Sequence, residues 1–416
     1  MRRVKYYKRN NCRLCKSKRL KKSLILNPSP WADDYLPKSN LSKKKHLIPL
    51  NLDVCQICGN VQLDHIINQS EVYLNYTYET SSSLGLSEHF KNTAETIIKK
   101  YEPQKKSLVV DIGSNDGTLL SHFKKKDLKV LGIEPMSSIA SIAKKNKIKT
   151  LVNFFSKNFS KKIKKNFGIA SVISANNVVA NIDNLDDFFE GVKNLMNKDS
   201  IFFFETFYLP LQIKNFVWDF IYHEHLSYFR IEPLQKYFKK LGLEIIGVQT
   251  NNVKGGSMRC VIQLLNGSKR PDKSVENCVS KEKSYGFDKN YIFKKFSKKI
   301  EKARIIFEKK IKNLILEKKT ISGYGASATS TTLMYHYNIN FLDSLYDDFK
   351  VKQGLYSPGF NVPVKASSKI YKDNPDCIII LAWRYKNQII KKHKKFLKNG
   401  GSFIIPLPKY QLINSK

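Results

Sequence analysis

The sequence predicts an α/β protein built on doubly wound parallel sheets, preceded by a small metal-binding module. Three observations predict it. Short apolar runs alternate with helical patterns in two separate series along the 416 residues, and strands alternating with helices imply parallel sheets. The first run of each series ends in a glycine-containing turn, Gly113-Ser-Asn-Asp-Gly117 and Gly323-Tyr-Gly-Ala-Ser327. Ahead of both series stand two matched cysteine pairs, Cys12-Arg-Leu-Cys15 and Cys55-Gln-Ile-Cys58.

Each Cys-x-x-Cys knuckle can offer two thiolates to one ion, and two knuckles complete a tetrahedral shell. A closed four-cysteine shell leaves no position for substrate, so a zinc ion at Cys12, Cys15, Cys55 and Cys58 is expected to be structural. Pro28, Pro30 and Pro37 suit loops between the knuckles. Neither pair sits at a strand-to-helix junction, which argues against redox chemistry. Seven cysteines are an odd number, and free thiols are the expectation. Cys260, Cys278 and Cys377 read as core or surface residues.

Residues 84–101 have a helical pattern. The first series follows, with strands expected at Leu108–Ile112, Val130–Ile133, Lys149–Val152, Ile169–Ser174 and Ser200–Glu205. A helix is expected over Asn184–Met196. After a helix at Pro233–Leu241 come two more strands, Glu244–Thr250 and Ser257–Leu265. Five parallel strands plus a terminal pair is the plan of a Rossmann-like class I methyltransferase core. Residues 286–320 predict one long Lys-rich helix, with Tyr291, Phe296, Ile300 and Phe307 on its apolar face, either an arm between units or a solvated helix packed on one of them. The second series has strands at Thr320–Tyr324, Phe341–Tyr346, Cys377–Trp383 and Ser402–Ile405, with a helix over Asn387–Leu397.

Composition narrows the class. With 42% hydrophobic and 12% aromatic residues, the chain is neither fibrous nor disordered. Its 73 Lys+Arg against 35 Asp+Glu give a net charge of +38, a field that attracts anions. Only 10 of the 73 are Arg, and the lysines are spread along the chain, so nucleic acid is not the expected partner. No run approaches the roughly 20 apolar residues of a membrane span, and the basic start lacks an apolar core. A cytoplasmic, monomeric protein is expected.

In the first series a strand ends at Asp111 and turns through Gly113, Ser114, Asn115, Asp116 and Gly117 into a helix. Glycines permit close backbone approach to a ligand, and the helix start offers free N–H groups. Glu134 ends the next strand 21 residues beyond Gly113, the spacing at which an acid accepts from ribose hydroxyls. The turn is not Gly-x-Gly-x-x-Gly. It suits S-adenosylmethionine better than NAD. The fourth strand ends in Ala175-Asn176-Asn177, without the Pro-Pro motif of nucleic-acid amino methyltransferases. After the fifth strand comes Tyr222-His223-Glu224-His225, which is not a zinc-protease motif. It offers a general base with a polarising phenol and a carboxylate close by.

Taken together these blocks resemble the sugar C-methyltransferases of deoxysugar pathways, which act on nucleotide-linked 4-keto-6-deoxysugars. The resemblance rests on both cysteine knuckles, Val109–Leu120, Ala175–Ala180, Tyr222–Phe229, Lys254-Gly-Gly-Ser-Met-Arg259, Gly323–Ala328, Lys352–Gly359 and Leu381-Ala-Trp383. It implies a zinc-binding domain (1–70), an S-adenosylmethionine-dependent methyltransferase domain (71–270) and a Rossmann-like domain that binds the nucleotide sugar (271–416). It implies His225 as the base, with Tyr222 and Glu224 orienting it and stabilising the enolate, and Tyr76 near the sugar. Asn176 and Asn177 would lie at the cofactor. Gly323, Tyr324, Gly325, Ala326 and Ser327 would hold the diphosphate. Asn181 stands where the family usually has His, and Thr329-Ser330-Thr331 where it often has Lys-Gly-Asn. Both departures bear on which sugar is used. Two other readings are a zinc-containing RNA methyltransferase and a non-catalytic nucleotide-sugar-binding protein.

Overall fold

The computed structural model describes residues 5–41, 46–68, 79–82, 85–287 and 291–415. The N-terminal segment contributes β1 (Tyr6–Lys8), β2 (Leu20–Ser29), β3 (Ile48–Cys55), β4 (Val61–Leu63) and β5 (His65–Ile67). β2 and β3 form a long antiparallel pair that the sequence did not suggest. Two register shifts, at Lys22/Leu24 and Leu26/Ser29, break the period-2 pattern by which such strands are read. Pro28 is tolerated because β2 is an edge strand, where its missing N–H costs no ladder bond.

The central unit follows the expected plan. Its strands are β6 (Leu108–Ile112), β7 (Lys129–Ile133), β8 (Thr150–Leu151), β9 (Ala170–Asn176), β10 (Ile201–Phe207), the two-residue β11 (Ser227–Tyr228), β12 (Leu243–Asn251) and β13 (Ser257–Leu264). Without β11 they form one sheet in the order β12-β13-β10-β9-β6-β7-β8. β8, β7, β6, β9 and β10 are parallel, while β13 and β12 are antiparallel to their neighbours. This is the class I methyltransferase fold. The sheet is covered by helices including Leu86–Tyr101 and Leu185–Asn194. Phe188, Phe189, Phe202, Phe204 and Phe238 interlock behind it, mostly edge to face, the geometry aromatic quadrupoles favour. β11 leaves this sheet and pairs with β4, so the segment after Tyr222–His225 is part of the N-terminal sheet.

The C-terminal strands are β14 (Ile321–Tyr324), β15 (Leu345–Asp347), β16 (Val364–Ala366), β17 (Cys377–Ile380), β18 (Ser402–Ile405) and β19 (Gln411–Ile413). They run β16-β15-β14-β17-β18-β19, parallel except for β19. The helix expected over 286–320 is present as the single, shorter helix Tyr291–Leu316, and a separate helix, Ser274–Ser284, precedes it. Tyr291 is 66% exposed, and the buried face is Phe293, Phe296, Ile300, Phe307 and Ile311. That face bridges the units: Phe296 meets Phe216, and Phe307 meets Tyr337 and Tyr410. The helix expected over Asn387–Leu397 breaks at His393, whose φ/ψ of −108°/33° is not helical. Among the described residues no helix is long and apolar enough to cross a membrane.

Candidate active site

A cavity of about 1070 Å³ lies where the three sheets meet. Its walls come from the N-terminal loop 30–40, the carboxyl ends of β6, β7 and β9, the Tyr222–His225 block, and residues 327–329 and 351–355. Ligands of open α/β sheets bind at that end of the strands.

On the methyltransferase side, Asp111, Gly113, Ser114, Asn115, Glu134, Asn176 and Asn177 all line the cavity. Gly113 has φ +68°, and a Cβ there would sit 2.4 Å from Val178, so only glycine fits. Glu134 directly follows β7 and is 5% exposed. Its carboxylate accepts the backbone N–H of Asn115 at 3.0 Å and of Met136 at 3.0 Å. Burial raises its pKa and that of Asp111, the latter to about 7. Ser174 Oγ donates to Asp111 at 2.6 Å. Asp116 and Gly117 do not line the cavity. Asp116 caps the following helix through Thr118 and accepts Ser81 N–H at 2.8 Å. Ser114 Oγ and both side-chain polar atoms of Asn176 are buried without a hydrogen-bond partner. Orphaned polar groups of this kind, beside a carboxylate, fit the amino-acid and ribose ends of S-adenosylmethionine.

Opposite them lie Tyr222, Glu224 and His225. His225 Nδ1 is 2.9 Å from the carbonyl oxygen of Phe220. It therefore carries the proton and donates, leaving Nε2 with its lone pair. The ring packs against Tyr222 and Phe207, with centroids 4.0 and 4.5 Å away. Burial pushes its pKa down to about 3, so the imidazole is neutral. Glu224 accepts from Trp31 Nε1, and its Oε2 has no partner. Burial, then the Asp33 charge, raises Glu224 to about 7. His223 points away, toward Ile48 and Pro49 of the N-terminal sheet, fully buried and lowered to about 4 by burial.

From the C-terminal unit only Ser327 of the expected loop lines the cavity. Gly323 packs against Leu345, Leu342 and Leu381, and Gly325 (φ +114°) against Ala382. Tyr324 donates to Asp348 at 2.8 Å, and Ala326 N–H to Asp347 at 2.6 Å. These four residues shape the turn behind the wall. Asn181 lines the cavity. Tyr76 lies outside the described residues.

The four knuckle sulfurs lie within 4.8 Å of one another, with Cys12–Cys58 and Cys15–Cys55 both at 3.5 Å. A tetrahedral shell with Zn–S bonds of ~2.3 Å separates sulfurs by ~3.8 Å, so the donor set fits one zinc. Arg13, between two of the ligands, is 0% exposed. It donates to Leu226 O at 2.9 Å, Leu63 O at 3.1 Å and Asp183 at 3.0 Å. The metal module thus holds the residue that follows His225.

Sequence reasoning missed the loop carrying Trp31, Asp33 and Tyr35. Its signal was present: aromatic and acidic residues packed between Pro30 and Pro37 in a Lys-rich stretch. Lys352 clamps this loop, 2.9 Å from Asp33 and 4.4 Å over the Tyr35 ring.

Fold and cavity together define an S-adenosylmethionine-dependent methyltransferase. Family models match in order along the chain: a zinc binding domain over residues 12–73, a methyltransferase domain over 87–248 and a C-methyltransferase C-terminal domain over 252–408. The C-methyltransferase NovU of Streptomyces niveus is 27% identical over 412 residues, 98% of this chain and 97% of that protein. Among solved structures, an S-adenosylmethionine-dependent methyltransferase from Clostridium acetobutylicum has 14% identity and a TM-score of 0.35, covering 43% of this chain and 92% of its own. Magnesium protoporphyrin IX methyltransferase from Synechocystis has 10% identity and a TM-score of 0.35, covering 47% and 92%. The three matched domains stand in the order zinc-binding module, methyltransferase core and C-methyltransferase C-terminal domain, and over nearly its whole length the chain is similar to a C-methyltransferase.

Proposed function

We propose that the protein methylates carbon beside the ketone of a nucleotide-linked 4-keto-6-deoxysugar. The observation that carries this reading is the shared cavity: the neutral His225, Tyr222 and Glu224 face the Asp111–Asn115 turn and Glu134 across one space. A ketone acidifies its neighbouring C–H, and a positioned base can remove that proton. Bound S-adenosylmethionine supplies an electrophilic methyl group.

In this scheme Glu134 accepts from the ribose hydroxyls, while Gly113–Asn115, Asp111, Asn176 and Asn177 cradle the rest of the cofactor. His225 Nε2 takes the proton. The Phe220 carbonyl fixes its tautomer, and burial keeps it unprotonated at working pH. The imidazolium formed on proton uptake faces the enolate made in the same step, which offsets its desolvation. Tyr222, packed on the His225 ring, and Glu224 orient the base and help stabilise the enolate. Tyr76 stays assigned to the sugar by the family resemblance. Ser327 and Thr329 serve the nucleotide end, with Gly323–Ala326 shaping their turn, and Asn181 bears on which sugar fits. The division into residues 1–70, 71–270 and 271–416 is proposed with these roles. The aromatic walls and the clamped N-terminal loop exclude water from the reacting carbon.

The test is a methyl-transfer assay over a panel of thymidine- and guanosine-diphosphate 4-keto-6-deoxysugars. The expected outcome is a product heavier by one methyl group on carbon, formed only with S-adenosylmethionine. Transfer to RNA, or to no member of the panel, contradicts the reading.

A further inference from the structure

Lys254 lines the cavity together with Tyr222, Glu224 and His225. Its backbone is left-handed, with φ 52° and ψ 29°, a conformation a residue with a Cβ adopts only under constraint. The constraint is visible. Gln212 Nε2 donates to the carbonyls of Lys254 at 3.4 Å and Gly256 at 2.9 Å. Asn215 Nδ2 donates to Gly255 O at 2.9 Å, and Ser257 Oγ to Val253 O at 2.9 Å. Gly255 and Gly256 also have positive φ, and a Cβ on them would sit 2.8 Å from Val217 and 2.6 Å from Leu211. The turn is locked, and what it presents to the cavity is one lysine.

The ammonium is unpaired. Of the two lysines in the cavity wall, Lys352 is held by Asp33 and Tyr35. Lys254 makes no side-chain hydrogen bond or ion pair among the described residues. The charges that reach it are Glu205 of β10 and Arg384 of the C-terminal unit, and its own charge acts on His225. Burial lowers its pKa to about 8, so it is still a cation near neutrality. Fixed cations in dry sites act most strongly where negative charge develops.

We infer that Lys254 is a catalytic residue: its ammonium binds the ketone oxygen and stabilises the enolate as His225 removes the neighbouring proton. This rests on the function proposed above. The C–H bond breaks, its proton goes to His225 Nε2, and the electron pair passes into the new C=C bond, leaving the oxygen anionic against Lys254. When the carbon takes the methyl group, the bond from that methyl to the donor's sulfonium sulfur breaks with its electron pair left on sulfur, and the oxygen returns to a ketone. The same positive charge that depresses His225 thus acidifies the substrate.

The experiment compares wild type, Lys254→Met and Lys254→Arg in D₂O, using the thymidine- or guanosine-diphosphate 4-keto-6-deoxysugar that the wild type turns over. Folding is checked by calorimetric binding of S-adenosylhomocysteine. Lys254→Met should lose about 100- to 1000-fold in both deuterium exchange and methyl transfer, with KM changed by less than about threefold. Lys254→Arg should recover about tenfold or more of that loss. Exchange by Lys254→Met close to the wild-type rate overturns the assignment, as does a rise in KM that accounts for the whole loss, which would place the lysine on the diphosphate. Failure of Lys254→Met to bind S-adenosylhomocysteine makes the lysine structural and also overturns it. If the wild type itself exchanges no deuterium with any 4-keto sugar, the proposed function falls and this inference with it.

Discussion

His223 and His225 stand two residues apart and serve different surroundings. The ring of His225 is in the cavity wall with Nε2 unprotonated, whereas His223 is buried against Ile48 and Pro49. Sequence spacing could not separate them, because an irregular turn fixes which way each ring faces. His225→Asn should still bind S-adenosylhomocysteine but lose roughly a hundred- to ten-thousandfold in exchange and transfer. His223→Asn should keep exchange within about fivefold of wild type and lower the unfolding temperature. The reverse pattern, read by NMR of the sugar in D₂O, would move the base to His223. Glu224 carries a stability signature. Its folded pKa, raised by burial to about 7, exceeds the ordinary glutamate value near 4.3. Between those values the folded state binds the extra proton, so stability falls as pH rises toward 7 and the penalty is complete above it. Glu224→Gln keeps the acceptor for Trp31 and removes the charge. It should therefore unfold at a higher temperature than wild type at pH 8, with the gain gone at pH 4. An equal shift at both pH values would contradict a buried charged carboxylate. Activity should fall, the usual trade at a site held for function.

At the scale of elements, the cysteine knuckle and the Tyr222–His225 block form one structure. Arg13 reaches from between Cys12 and Cys15 to Leu226 O and Asp183. Leu226 N–H in turn donates to Ala180 O at 2.8 Å, next to Asn181. Arg13→Met would leave Asp183 with fewer partners and remove the guanidinium bonds to Leu63 O and Leu226 O, the latter still accepting Leu63 N–H. Leaving a buried charge uncompensated costs about 3–5 kcal/mol; Asp183 keeps Arg9 and Tyr7, so chemical denaturation should show a smaller loss. Zinc content should remain at one per chain. Cys15→Ser should lose the zinc by elemental analysis and unfold at lower temperature, because binding and folding are coupled. A metal content unchanged in that variant would contradict the four-cysteine shell. The knuckles were legible because metal geometry constrains sequence spacing tightly. The strands joining them were not, since bulges and an edge-strand proline hide the alternation. Similarly, Tyr291 looked like part of the buried stripe of its helix, but it stands at the helix start, where no neighbour covers it.

Across the whole molecule, the two βαβ series were readable from their apolar runs, and the seven-stranded sheet has the five parallel strands and terminal pair of that reading, while the three-residue β16 and β19 were too short to show a pattern. What the sequence concealed was convergence. The loop 30–40, Lys254, Thr329 and Lys352 come from four distant stretches and meet in one cavity. No local pattern encodes such a meeting, because it is set by how the sheets pack, with β11 crossing into the N-terminal sheet and the helix Tyr291–Leu316 spanning the units. The glycine turn after β14 illustrates the opposite case: its motif was plain, yet its glycines serve packing against Leu345 and Ala382. The central claim is that one cavity joins deprotonation beside a ketone to methyl transfer. It is tested most directly by following wild-type enzyme with a nucleotide-linked 4-keto-6-deoxysugar in D₂O by NMR, with and without S-adenosylmethionine. Deuterium is expected at the carbon beside the ketone in both samples, and a new carbon-bound methyl group at that same carbon only when S-adenosylmethionine is present. A methyl group on oxygen or nitrogen, or methylation at a carbon that never exchanges, would contradict it.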